Sequence, residues 1–184
     1  RIITSNGPVL GVIGSKPPHM LEDEERKKVL KIKDMFIDVG AQEDFDVKKE
    51  LGVKPGDPII PDSQFTVMGN KKMYMAKAFD NRVACSIVID VLKKLKNAKH
   101  PNTVLGSGTV QEEVGLRGAQ TFAHAAEPDV AIVVDTGIGL DVPPDGFKKN
   151  EKLGNGPAVL IYDAVMIPNL KLRDLVTSTA ESKQ

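Results

Sequence analysis

Gly106-Ser107-Gly108-Thr109-Val110-Gln111-Glu112-Glu113-Val114-Gly115-Leu116-Arg117-Gly118-Ala119 joins a β-rich lead-in, Thr103 to Leu105, to a small-residue helical run, Ala119 to Ala126. It reads as a buried strand that delivers two adjacent carboxylates to its C-terminal end, where glycines bend the backbone into a helix. Open α/β sheets place their ligand sites there, in the crevice beyond the carboxyl ends of the strands. Neighbouring side chains of a regular strand point to opposite faces. Glu112 and Glu113 therefore share one site only if the chain leaves strand geometry at that point, and Gly115 offers a position for it. The bare dipeptide is equally what a solvated strand end with two surface acids looks like.

Two further acids occupy comparable places. Asp80, in Ala78-Phe79-Asp80-Asn81-Arg82, stands directly before the amphipathic run Val83 to Leu95. Asp135 ends the apolar run Val130-Ala131-Ile132-Val133-Val134, which stops at Thr136-Gly137. Taken singly, Asp80 is a helix N-cap and Asp135 a strand-end turn former. Taken together, a helix start and two strand ends each offer a carboxylate toward one edge of a sheet. Burying four carboxylates side by side is prohibitive without compensating cations. Divalent ions taking oxygen and imidazole ligands are the matching partners.

At these residues the chain resembles a known family. Ala-Phe-Asp-Asn-Arg at 78–82, Thr-Val-Gln-Glu-Glu-Val-Gly-Leu-Arg-Gly-Ala at 109–119 and Val-Val-Asp-Thr at 133–136 are similar, in that order, to the dinuclear metallo-aminopeptidases of the deblocking and glutamyl aminopeptidase family, which build tetrahedral particles. Gly11 to His19, Phe36 to Ala41 and Gly52 to Asp57 fit the same family, so the match runs from about Gly7 to about Ala180.

The resemblance implies a hydrolase that removes N-terminal residues from short peptides by means of a water bridging two divalent metal ions per subunit, zinc or cobalt with manganese as a third option. Carried over position by position, it makes Asp80 the bridge between the ions. Glu113 becomes a ligand of one and Asp135 of the other, with Glu112 the general base. It further implies a cis Asp80-Asn81 bond, a cytoplasmic location, and a homo-oligomer whose dimers assemble into a dodecamer. The family's two ligand histidines have no counterpart here. His19, His100 and His124 lie in no His-x-Asp, and each reads as a structural or solvated residue. The 184 residues accordingly read as a fragment with an incomplete site and no activity of its own.

Other readings compete. A non-catalytic assembly or binding homologue would also carry an association domain without both histidines. Relatives labelled endoglucanases suggest a glycosidase, but paired glycosidase carboxylates stand roughly 5–10 Å apart across the sugar, which disfavours sequence neighbours. Neither Gly106-Ser107-Gly108 nor Gly137-Ile138-Gly139 continues as a nucleotide-binding fingerprint.

Composition narrows the field further. With 25 basic and 25 acidic residues the net charge is zero, which gives no electrostatic case for nucleic acid or an anionic membrane surface. No apolar run approaches the roughly 18 residues that span a bilayer, and no signal peptide is read. Aromatic residues make up 4% and tryptophan is absent, so sugar-stacking platforms are scarce. The single cysteine, Cys85, falls on the apolar side of a helical pattern and reads as a small core residue in a reducing compartment.

The texture of the chain changes near residue 78. Before it, short strands and turns dominate. Leu21 to Ile32 reads as a short charged helix, Phe36 to Val39 as a strand, Glu43 to Leu51 as a helix closed by Gly52, and 65–68 with 72–76 as a hairpin about Gly69-Asn70. After it, helix 82–96, strand 103–110, helix 117–126, strand 129–135, a Pro/Gly loop 136–156, strand 157–162 and helix 169–182 alternate, which argues a parallel sheet. The expected fold class is α/β. A parallel-core sheet flanked by helices forms a catalytic domain over 79–184. By resemblance, 1–78 is a small β-barrel-like insert for subunit association.

Overall fold

A computed structural model describes residues 1–143 and 151–183. The chain divides into two compact units, Arg1–Lys77 and Ala78–Gln184.

The first unit is built from antiparallel pairs. β1 (Ile2–Thr4) pairs with β2 (Gly7–Val9), with Ile2 opposite Val9 and Thr4 opposite Gly7. The Thr4 hydroxyl closes the turn by donating to the Gly7 carbonyl at 2.8 Å and accepting from the Asn6 amide at 3.1 Å. Ile2 and Thr4 point inward while Ile3 stays partly exposed, the period-two alternation of a one-sided strand. β3 (Val12–Gly14) pairs with β4 (Phe36–Asp38), bringing the Phe36 ring over Gly14, where a Cβ would collide with it. β5 (Thr66–Val67) and β6 (Tyr74–Met75) form the expected hairpin, with the Phe65 and Tyr74 rings 5.3 Å apart.

Two helical readings shrink. Of Leu21 to Ile32 only α1 (Asp23–Arg26) is α-helical, and of Glu43 to Leu51 only α2 (Val47–Leu51). In α2 the cap decides the start. The Asp46 carboxylate accepts from the Lys48 and Lys49 amides, so the helix begins one residue after it and ends at Gly52, whose φ of 71° suits glycine.

Among the described residues the first unit does not close into a barrel. Its strands form three separate two-stranded sheets, and an isolated Ile2–Ile59 bridge ties β1 to the segment before Pro61. Closure needs each strand to pair on both edges around the ring, and strands of two and three residues expose too few backbone groups for that.

In the second unit α3 spans Phe79–Leu95, but Asp80 (φ −81°, ψ 107°) and Asn81 (φ −123°, ψ 50°) are not helical. The regular helix therefore starts after Asn81, whose side-chain Oδ1 accepts from the Ala84 amide at 3.1 Å. Asn81, not Asp80, caps it. The Asp80-Asn81 bond is cis. α4 covers Arg117–Ala126 and α5 covers Leu170–Glu181, the latter capped by Asn169 accepting from the Leu172 amide at 3.1 Å.

The expected strands 103–110, 129–135 and 157–162 form no ladder among the described residues. Their composition fits a pleated surface, but β-propensity records side-chain fit and leaves the backbone partner unspecified. Ile132 and Val133 remain 67% and 80% exposed, which is consistent with segments lacking strand neighbours. The run 103–109 does pack on a helix: a Cβ on Gly106 would meet Leu92 at 2.6 Å and Val88 at 2.8 Å, both on α3. Within the expected loop 136–156, residues 144–150 lie outside the described residues. No helix among the described residues is long and apolar enough to cross a membrane.

Candidate active site

The turn after Thr109 departs from strand geometry before the two glutamates. Gln111 takes a positive φ of 58°, followed by Gly115 at 115° and Leu116 at 56°. The backbone then closes on itself. The Glu112 carbonyl accepts from the Gly115 amide at 3.0 Å and the Leu116 amide at 2.9 Å, and the Gly118 amide donates to the Val110 carbonyl at 2.9 Å. Gly118 is buried, and a Cβ there would run into the backbone N and O of Val110. Only glycine lets the first turn of α4 lie that close to the lead-in. This tight return allows adjacent glutamates to line one cavity.

That cavity, about 370 Å³, is bordered by Asp80, Arg82 and Cys85 from α3, Ser107 and Thr109 from the lead-in, Glu112 and Glu113 from the turn, and Asp135. All four acids singled out in the sequence thus meet at one place. Asp135 is held by its surroundings: Oδ1 accepts from the Thr136 amide at 2.7 Å and from Asn81 Nδ2 at 2.6 Å, while Asn81 Nδ2 also reaches the Val134 carbonyl at 3.3 Å. Among the described residues the carboxylates of Asp80, Glu112 and Glu113 accept no hydrogen bond, and all four acids are solvent-exposed. Water is what lets four anions stand round one cavity beside a single cationic side chain, that of Arg82.

As a donor set, four hard carboxylates with no lysine among them suit a divalent cation. Among the described residues, however, no three His, Cys, Asp or Glu side chains converge closely enough to hold one. His19, His100 and His124 do not border the cavity. His100 instead shares a 2.7 Å hydrogen bond with the Asn102 carbonyl.

Cys85 corrects its reading as a core residue. It is exposed and borders the cavity, with Gly108 opposite it. Periodicity placed it on the correct face of α3, but that face here looks onto the cavity. Asn81 was missed as a site residue. The signal was present in its residue type, since an asparagine that caps a helix with its side-chain oxygen keeps an NH2 group to donate elsewhere.

The chain belongs to the M42 glutamyl aminopeptidase family, whose model matches residues 1–184. It is similar to the FrvX protein of Escherichia coli (strain K12), 42% identical over 171 residues, which are 92% of this chain and 47% of that one. It is also similar to the glutamyl aminopeptidase of Lactococcus lactis subsp. cremoris (strain MG1363), 33% identical over 174 residues, 92% of this chain and 48% of that one. Its structure superposes on the TET aminopeptidase of the marine sediment archaeon Thaumarchaeota archaeon SCGC AB-539-E09 with a TM-score of 0.89 and 47% identity, over 100% of this chain and 52% of that one. The chain spans about half the length of the curated relatives it matches.

Proposed function

We propose that the full-length protein is a metal-dependent aminopeptidase acting on the first residue of short peptides, with its reaction centre at the cavity of Asp80, Glu112, Glu113 and Asp135. The observation that carries this reading is the meeting of four carboxylates from separate stretches of a family member at one cavity. Asp80, Glu113 and Asp135 would hold two divalent ions, zinc or cobalt before manganese, with Asp80 shared between them. Such ions, when bound, lower the pKa of water toward about 7 and polarise a carbonyl. Glu112 is the base: its carboxylate takes a proton from the attacking water and returns it to the departing amine. Ser107 and Thr109 offer hydroxyl groups at the cavity wall. The test is release of free amino acids from short peptides and aminoacyl anilides by the metal-loaded full-length protein. Loss of release on chelation and its return with added metal are expected; tight metal binding with no amino acid released from any peptide would favour the assembly reading instead.

In the full-length protein, a parallel core through 79–184 and an association unit at 1–78 belong to the same proposal, as does a cytoplasmic homo-oligomer of dimers reaching a dodecamer. Support comes from the likeness to a TET aminopeptidase. Sedimentation of the full-length protein should show an assembly at micromolar concentration, and a monomer there would remove this part of the proposal.

A further inference from the structure

Asn81 makes three hydrogen bonds with one side chain. Its Oδ1 accepts from the Ala84 amide at 3.1 Å, which caps α3. Its Nδ2 donates to Asp135 Oδ1 at 2.6 Å and to the Val134 carbonyl at 3.3 Å, across 54 and 53 residues of sequence. The amide has only one consistent orientation. Turned over, its oxygen would face a carboxylate and a carbonyl, and its NH2 would face a backbone N–H.

We propose that Asn81 is a positioning residue that orients the Asp135 carboxylate for cation binding, in addition to capping the helix. Asp135 Oδ1 is occupied by Asn81 and by the Thr136 amide, while Oδ2 accepts no hydrogen bond among the described residues. The carboxylate is thereby held by one oxygen with the other left for a ligand. The donor is neutral, which matters. A lysine or arginine in its place would pair with Asp135 and compete with a cation, whereas an amide fixes the group and leaves its charge uncompensated. Asn81 also follows Asp80 directly, so one residue links the backbone that carries the first acid to the side chain of the fourth. Partners that orient a ligand in this way typically contribute 10–100-fold in metal affinity.

This inference rests on the proposed metal role of Asp135, and the experiment separates the two. Metal-free full-length protein is titrated with Co²⁺ alone, following cobalt absorbance against a competing chelator, and its thermal melt is recorded without metal. Asn81→Ser keeps an oxygen for the Ala84 amide but is too short to reach Asp135; Asn81→Ala keeps neither contact. The serine variant should melt near the wild type, and the alanine variant lower. Both should bind Co²⁺ about 10–100-fold more weakly. Wild-type Co²⁺ affinity in Asn81→Ser would overturn the positioning role, as would a loss of affinity in both variants that only follows their loss of metal-free stability. Asp135→Ala is the reference. If it binds Co²⁺ as the wild type does, the ligand reading of Asp135 falls; if it binds weakly while Asn81→Ser does not, only the positioning role falls.

Discussion

Glu112→Gln in the full-length protein is expected to lower hydrolysis of aminoacyl anilides by about 10²–10⁴-fold, the usual cost of removing a general base, while metal content and fold stay unchanged. The amide has nearly the shape of the acid but cannot take up a proton at neutral pH. The local backbone gives no reason for collapse. The turn is tied through the Glu112 carbonyl, which accepts from the Gly115 and Leu116 amides, and the side chain accepts no hydrogen bond among the described residues. Steady-state rates with metal content measured on the same samples decide the matter. Near-normal turnover in Glu112→Gln would move the base to another group, with Glu113 the nearest candidate on the same cavity.

Asp80→Asn should release both metal ions together, read as metal per subunit after dialysis against a weak chelator. A carboxylate shared between two ions is a ligand of each, and exchanging it for a neutral amide removes charge from both sites at once. Glu113→Gln should behave differently: one ion weakens first, and excess metal restores part of the rate. The structure makes this contrast clean, because Asn81 rather than Asp80 caps α3. Metal loss in Asp80→Asn would therefore not be a disguised loss of the helix start, and circular dichroism of the metal-free variant should match the wild type. Retention of one tightly held ion in Asp80→Asn would sink the bridging role.

Nothing local to Asp80 and Asn81 decides which of them caps α3. Both are Asx residues at a helix start, and either is a good cap by type. The choice between them is made by Val134 and Asp135, more than fifty residues onward, which engage the Asn81 amide and leave Asp80 to the cavity. Cys85 carries the same lesson: the 3.6-residue period assigned it to a face, but the neighbours of that face decide whether it is core or cavity wall. The runs 103–110 and 129–135 carry β-type side chains without a ladder, since pairing is a property of two segments and the sequence of one describes only itself.

What the sequence determined by itself was local. It set the helix Arg117–Ala126, the Gly52 stop, the hairpin about Gly69-Asn70 and the presence of four acids at segment ends, because caps, turn residues and apolar periods act over a few residues. It also carried the family resemblance through the long Gln-Glu-Glu block. The tertiary structure decided which groups meet. Gly118 lies against Val110 tightly enough to turn adjacent glutamates into one cavity, Asn81 reaches Asp135, and the expected strands remain unpaired among the described residues. These are long-range or close-approach contacts, whose energies depend on the placement of distant backbone, and no window of sequence contains both partners.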